Sequence, residues 1–238
     1  MTRGLLALGA GVGGLALGAA GAQAAGEVAG RAQIEQVVRD YILDHPEIIP
    51  EAMTRLRNKE TAKLLAADRQ AIETPFAGAW TGNPKGDVTL VMFTDYSCVY
   101  CRASTPDIER LVKGDPGLKV VWREIPVLGP QSETAAHAAL AAAKQGKYLP
   151  FHRALFVEAR PDQAHLSAAS KVAALDPARL AVDRNGADVA KELDDNMTLA
   201  QRLGVSGTPA FVIGNQMLSG AVGYDKLAAA IAAARKGD

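Results

Sequence analysis

The chain has 238 residues, 48% hydrophobic and 22% charged, which is enough apolar material for one substantial core or two modest ones and excludes disordered and fibrous classes. Lys and Arg number 26 against 26 Asp and Glu, so the balance lacks the electrostatic footprint of a general nucleic-acid or anionic-membrane binder. The 2 cysteines, Cys98 and Cys101, are too close together for a disulfide framework and too few for a structural zinc site.

At the amino terminus Arg3 precedes an uncharged run from Leu5 to Ala20, followed by Ala22-Gln23-Ala24 with small residues where signal peptidase needs them. The run is diluted by Gly and shorter than the roughly 20 residues that span a bilayer, so residues 1–24 read as a cleaved export signal rather than an anchor. A periplasmic or otherwise exported protein meets an oxidising compartment, where a lone close pair of cysteines points to chemistry rather than to scaffolding.

Residues 25–74 are polar with helical periodicity. Ile34, Val37, Val38, Tyr41 and Ile42 form one stripe, and Met53, Leu56, Leu64 and Ala67 a second one beyond the His45-Pro46 break. So charged a segment builds no core of its own, and its narrow apolar stripe must pack on the main domain or on copies of itself; a homo-oligomer through residues 27–73 is the expected outcome. Thr74-Pro75 and the Gly82 to Gly86 cluster mark entry to a second region, residues 75–238.

In that region Val88 to Thr94 and Leu118 to Ile125 read as buried strands, with a helix from Cys98 to Lys113 between them: a parallel crossover unit. Pro106 should kink that helix. A helical block follows at about 131–203, broken at Gly146, Pro161, Asp176-Pro177 and Gly186. Ala210 to Ile213 and Gln216 to Ser219 then form a hairpin around Gly214-Asn215, and Tyr224 to Ala234 a last helix. The expected class is α/β, with an all-helical insertion in the sheet layer and a helical segment in front.

The chemistry concentrates where the first strand runs into its helix, at Cys98-Val99-Tyr100-Cys101. Cys98 stands at the helix start, where unpaired N–H groups and the positive end of the dipole stabilise a thiolate; Cys101 lies one turn further in and is more shielded. Cys98 would form a mixed disulfide with substrate and Cys101 would resolve it. A structural disulfide, half of a metal site and two inert thiols are the competing readings, the metal one taking the form of Cu(I) held by the same dithiol. Gly207-Thr208-Pro209, just ahead of a strand, favours redox exchange, because a cis-proline loop beside the dithiol leaves backbone groups free for an extended substrate. Val99, Tyr100 and Thr208 would line that substrate surface. The histidines, His45, His137, His152 and His165, show no metal spacing and read as surface or packing residues.

Three stretches together resemble the thioredoxin superfamily, and within it the exported DsbA-like thiol-disulfide oxidoreductases. They are Phe93-x-Asp95-x-x-Cys98-x-x-Cys101-Arg102, Glu124-Ile125-Pro126-Val127-Leu128-Gly129 with Ser132, and Gly204-Val205-x-Gly207-Thr208-Pro209-Ala210-Phe211. The resemblance covers residues 76–236 and implies a thioredoxin fold with a helical insertion and a redox-active Cys98–Cys101 disulfide in place of any organic cofactor or metal. It also implies unfolded or disulfide-containing exported proteins as substrates and a membrane redox partner that recycles the pair. The front segment Tyr41 to Glu47 is similar to the ScsC-type branch, suppressors of copper sensitivity, some of which are trimeric disulfide isomerases. One departure from the pattern matters. Many thioredoxin-like proteins carry a buried acid six residues before the first cysteine, and here that position is Met92. Glu124 is then the candidate proton relay to Cys101, against a reading as a solvated strand-end carboxylate that the rarity of buried Glu favours. Asp95 reads as a side-chain cap on the active-site helix.

Overall fold

The computed structural model describes residues 16–157 and 160–237, with side chains from Gly30 onward; most of the expected signal segment, residues 1–24, therefore lies outside the described residues. The chain divides into two compact units, Met1–Leu56 and Arg57–Asp238. The first contains α1 (Ala16–Asp44) and the beginning of α2 (Ile48–Ala67). In it Ile34, Val37, Val38, Tyr41, Leu43, Ile49, Met53 and Leu56 are all exposed. Among the described residues no helix is long and apolar enough to cross a membrane.

The second unit begins with the rest of α2 and a single turn, α3 (Arg69–Glu73), and then builds one five-stranded sheet. Its strands are β1 (Trp80–Gly82), β2 (Val88–Thr94), β3 (Leu118–Glu124), β4 (Ala210–Ile213) and β5 (Gln216–Ser219), in the order β1-β3-β2-β4-β5. β2 and β3 are parallel across α4 (Val99–Gly114), as the crossover pattern predicts, and the other pairings are antiparallel. Central β2 is buried on both faces, which explains its unbroken apolar run: Val88, Leu90 and Met92 face one core cluster, Val91 and Phe93 the other.

The helical insertion consists of α5 (Pro130–Lys144), α6 (Tyr148–Val157), α7 (Gln163–Val172), α8 (Pro177–Asp183) and α9 (Ala187–Arg202), and α10 (Tyr224–Lys236) closes the chain. On the first face, α4 with Ile108 and Leu111, α6 with Tyr148, Phe151 and Leu155, and α10 with Leu227 and Ile231 cover the sheet, and the alanines of α5 allow close packing. On the second face Leu65 of α2, Ile72 of α3 and Leu199 of α9 close over Val91, Phe93, Val121 and Ile125. Leu65 and Ile72 are almost wholly buried, so the end of the amino-terminal helical segment is part of this core.

One feature departs from expectation. β1 has no strand signature in its three residues and exists through its antiparallel register with Lys119 to Val121. α4 runs from Val99 to Gly114 with Pro106 inside it, and the hydroxyls of Ser104 and Thr105 donate to the carbonyls of Tyr100 and Cys101 ahead of the proline.

Candidate active site

Strand β2 ends at Thr94 and delivers Asp95 to the junction with α4. Asp95 does not cap the helix as expected. It is buried, its Oδ1 accepts the Ser97 N–H at 2.7 Å, and its Oδ2 accepts Val127 N–H at 2.9 Å and Leu128 N–H at 3.0 Å. One carboxylate thus ties the loop after β3 to the loop before α4 by charge-assisted bonds. Gly129 closes that loop with φ +110°, a conformation that favours glycine, and Ser132 donates from α5 to the Ser97 hydroxyl at 2.8 Å. Val127 and Leu128 are left exposed beside the junction.

Cys98 occupies the N-cap of α4 and Cys101 its first turn, and both are free thiols. Cys98 Sγ donates to the Thr208 carbonyl at 3.2 Å. The Thr208–Pro209 peptide is cis, and the loop before β4 meets the dithiol through Thr208 O, where the Gly-Thr-Pro signal predicts it. Two of its carbonyls are engaged: Thr208 O is held by Cys98, and Pro209 O accepts the Gly220 N–H at 2.8 Å. Val99 and Tyr100, between the cysteines, are 52% and 62% exposed.

The two thiols differ sharply in environment. Cys98 keeps 6% of its surface in solvent and Cys101 none. Burial pushes the Cys101 thiol up to about 12, against the Asp95 backbone and the Thr94 and Thr208 side chains, which favour its ionised form. A wholly enclosed sulfur beside one that reaches solvent lets an outside sulfur meet Cys98 alone and confines the reactions of Cys101 to the pair.

Glu124 is not a solvated strand end; it is fully buried. In the parallel register it lies directly beside Thr94, on the face of the sheet that carries Met92, Trp122 and Cys101. Tyr148 of α6 donates to its Oε1 at 2.5 Å, while Oε2 has no hydrogen-bond partner. Burial pushes its carboxyl up to about 8, the Tyr148 and Tyr96 hydroxyls lowering it and the Asp95 charge raising it. Next to it Tyr96 shares a 2.9 Å hydrogen bond with Nδ1 of His152, whose ring packs among Trp122, Tyr148 and Phe156. Burial pushes His152 down to about 3, so it is neutral and structural. Sequence reasoning missed this cluster: Tyr148 and His152 come from the insertion, and no local spacing connects them to Glu124. Among the described residues no group of three or more His, Cys, Asp or Glu could hold a metal ion.

The family model of the DSBA-like thioredoxin domain matches residues 89–232, which include both cysteines, Glu124 and the Thr-Pro loop. The chain belongs to the DSBA-like thioredoxin family. A second model, the copper resistance protein ScsC N-terminal domain, matches residues 31–63. Among solved structures, a thioredoxin-like oxidoreductase from Silicibacter pomeroyi is 39% identical with TM-score 0.68, over 71% of this chain and 99% of that one. The catalytic domain of Proteus mirabilis ScsC is 30% identical with TM-score 0.67, over 74% and 98%. A curated relative, the Na(+)/H(+) antiporter NhaA 3 of Salinispora tropica, is 32% identical over 162 residues, 64% of this chain. The chain spans only 24% of the length of that relative. The fold is that of the DsbA-like and ScsC thiol-disulfide oxidoreductases, with a helical segment in front.

Proposed function

We propose that the protein exchanges disulfides with exported proteins through Cys98 and Cys101. The observation that carries this reading is the pairing of Cys98, at the start of α4 and in contact with the Thr208 carbonyl, with a Cys101 that is wholly enclosed. In the oxidising direction a substrate thiolate attacks Cys98 Sγ, the Cys98–Cys101 bond breaks, and Cys101 leaves with the electron pair. A second substrate thiolate then attacks the substrate sulfur of the mixed disulfide and releases Cys98. In the reducing direction Cys98 attacks a substrate disulfide and Cys101 resolves the mixed disulfide. Once Cys98 Sγ is bonded to a substrate sulfur it no longer donates to Thr208 O, and that carbonyl becomes an acceptor for an N–H of the extended substrate beside Pro209. Val99, Tyr100, Val127 and Leu128 supply an apolar rim around the reacting sulfur. Cys98→Ser is expected to abolish turnover in both insulin reduction and oxidation of reduced ribonuclease; retained turnover ends the reading.

Export to the periplasm fits the amino-terminal sequence and the likeness to a periplasmic thioredoxin-like protein from Salmonella enterica serovar Typhimurium, 29% identical. A membrane redox partner would recycle the pair. The exposed apolar stripe of α1 and α2 and the ScsC match over residues 31–63 support self-association, which would place several dithiols around one cleft and favour isomerisation. Light scattering is expected to find an oligomer for the chain from residue 25 and a monomer once residues up to Leu56 are removed, a cut that spares Leu65 and Ile72 in the core. A monomer in both preparations argues for simple oxidase or reductase action. The reduction potential of the Cys98–Cys101 pair, set against that of glutathione, decides the direction of electron flow.

A further inference from the structure

A cleft of about 320 Å³ opens in the helical insertion, where α5, α7 and α8 converge. Its floor is apolar. Ala138 of α5, Leu166 of α7 and Leu175 of the turn between α7 and α8 are almost wholly buried, and Leu180 of α8 packs against the same core. Ala174 in that turn adopts φ +50°, a conformation that favours glycine, and the chain reverses so that Leu175 N–H donates to the Ser170 carbonyl at 3.0 Å and Leu175 returns to the cleft. Two cations stand on the rim. Along α8 and its C-cap the residues that face the cleft are Pro177, Leu180, Ala181 and Arg184, one side of the helix, and the corresponding side of α7 ends on Lys171. Both cations are exposed and, among the described residues, neither is paired with a carboxylate. No Asp or Glu lines the cleft. The acids nearest in sequence are engaged elsewhere: Asp183 and Asp188 both hold Lys144, at 3.0 and 2.8 Å, Asp176 accepts the Arg179 N–H as the cap of α8, and Asp162 caps α7 and pairs with His165. Arg184 is fixed at its backbone, because Nδ1 of His137 on α5 donates to its carbonyl at 2.7 Å.

We propose that this cleft is a binding site for a small amphipathic carboxylate, a single anionic head on a short aliphatic chain. The site lies apart from the dithiol and does not depend on the exchange reading. Its volume sets the size of the ligand: at about 30 Å³ for each water-sized group it takes roughly ten non-hydrogen atoms, the size of octanoate. The chain lies over Leu166, Leu175 and Leu180, where covering apolar surface supplies the attraction. The head stays at the rim, where Lys171 and Arg184 meet it without the full desolvation that enclosed charges suffer. Arg184 presents a planar fork to both carboxylate oxygens, and Lys171 adds a point charge. The hydroxyls of Ser170 and Thr134 donate to carbonyls of their own helices at 2.7 and 2.9 Å, so the negative head is drawn to the two cations rather than to the wall. A cationic ligand would meet both charges as repulsion, and a neutral one would leave them unused. Since Lys171 belongs to α7 and Arg184 follows α8, a carboxylate held by both bridges the two helices and stabilises the insertion.

The test is calorimetric titration of the chain from residue 25 with sodium octanoate at pH 7, with octanol, inorganic phosphate and octyltrimethylammonium as separate probes. Octanoate is expected to bind with a Kd of about 0.1–1 mM. Octanol and phosphate, each of which supplies only half of the ligand, should bind at least about tenfold more weakly, and the ammonium not at all. Lys171→Gln and Arg184→Gln should each weaken octanoate by about fivefold or more. Ala181→Phe, which fills the cleft from an exposed position and leaves both cations in place, should abolish binding. Octanoate should also raise the urea midpoint of the wild type and leave that of Ala181→Phe unchanged. All three substitutions fall on exposed residues, and circular dichroism confirms that each variant is folded. Octanoate binding no tighter than that of octanol, or a Kd within twofold of wild type in Ala181→Phe, overturns the site. Unchanged affinity in both Lys171→Gln and Arg184→Gln overturns the anionic class of ligand.

Discussion

Arg123→Ala is expected to cost 3–5 kcal/mol of folding stability, read as a lowered urea midpoint by circular dichroism. The guanidinium sits on the face of β3 opposite to Glu124 and is nearly enclosed. Its Nη1 pairs with Glu192 of α9 at 2.7 Å and donates to Asn196 Oδ1 at 3.1 Å. Nε and Nη2 donate to the Ile72 carbonyl, and Nη2 also donates to the carbonyls of Ala71 and Thr74. One side chain therefore satisfies the carbonyls at the end of α3, a single turn too short to be stable alone, and fastens it to the sheet. Burial holds Glu192 above its ordinary range even with Arg123 beside it, so desolvation outweighs attraction in this pair. Truncating the arginine leaves a buried carboxylate and three carbonyls without their donor. Arg123→Lys should recover only part of the loss, because an ammonium cannot span the positions that the planar fork reaches. A double-mutant cycle with Glu192→Gln separates the ion pair from the carbonyl contacts. A loss below about 1 kcal/mol for Arg123→Ala would show that α3 is held by Ile72 burial alone.

Much of this architecture was legible in the residues because it is locally encoded. Val88 to Thr94 is a β-branched apolar run that only a two-sided burial accommodates, and Gly214-Asn215 between two short strand patterns specifies a hairpin. The dithiol and the Thr-Pro loop were likewise readable, although 110 residues of sequence separate Cys98 from Thr208, because each carries its own signature. What stayed hidden depends on contacts made across the chain. Composition argues that Glu124 should be solvated, yet the aromatic side chains of α6 enclose it and Tyr148 gives it a donor. The role of Asp95 is set by two N–H groups of a loop 32 and 33 residues further on. Arg123 and Glu124 are consecutive charged residues that look like a surface pair, and the pleat of β3 sends one into each core. β1 owes its existence to a partner strand rather than to its own sequence.

The buried acid and base also govern how stability responds to pH, and Glu124→Gln is expected to change the shape of that dependence. In the unfolded chain Glu124 ionises around its ordinary 4.5, whereas in the fold it holds its proton to about 8. Between these values the unfolded state binds fewer protons, so stability falls as pH rises, by on the order of 5 kcal/mol across the window. His152 works in the other direction. Its folded value of about 3 lies below its ordinary 6.5, so from 6.5 downward the unfolded state takes up a proton that the fold refuses, and stability falls on acidification by a similar amount. Burial raises Tyr96, Tyr148 and Cys101, which face these two, further above neutrality and out of the window. From pH 4.5 to 6.5 the two slopes oppose and the wild-type contribution is level; above 6.5 the Glu124 slope acts alone. Glu124→Gln removes that slope. Its urea midpoint should rise from pH 4.5 to 6.5, stay level to pH 8, and diverge from wild type throughout by about 1.4 kcal/mol for each pH unit. The slope is the diagnostic quantity rather than the offset, because a buried amide N–H in place of Oε2 brings its own desolvation cost of about 1–3 kcal/mol at every pH. Parallel curves for the variant and the wild type would mean that Glu124 is ionised in the fold at neutral pH.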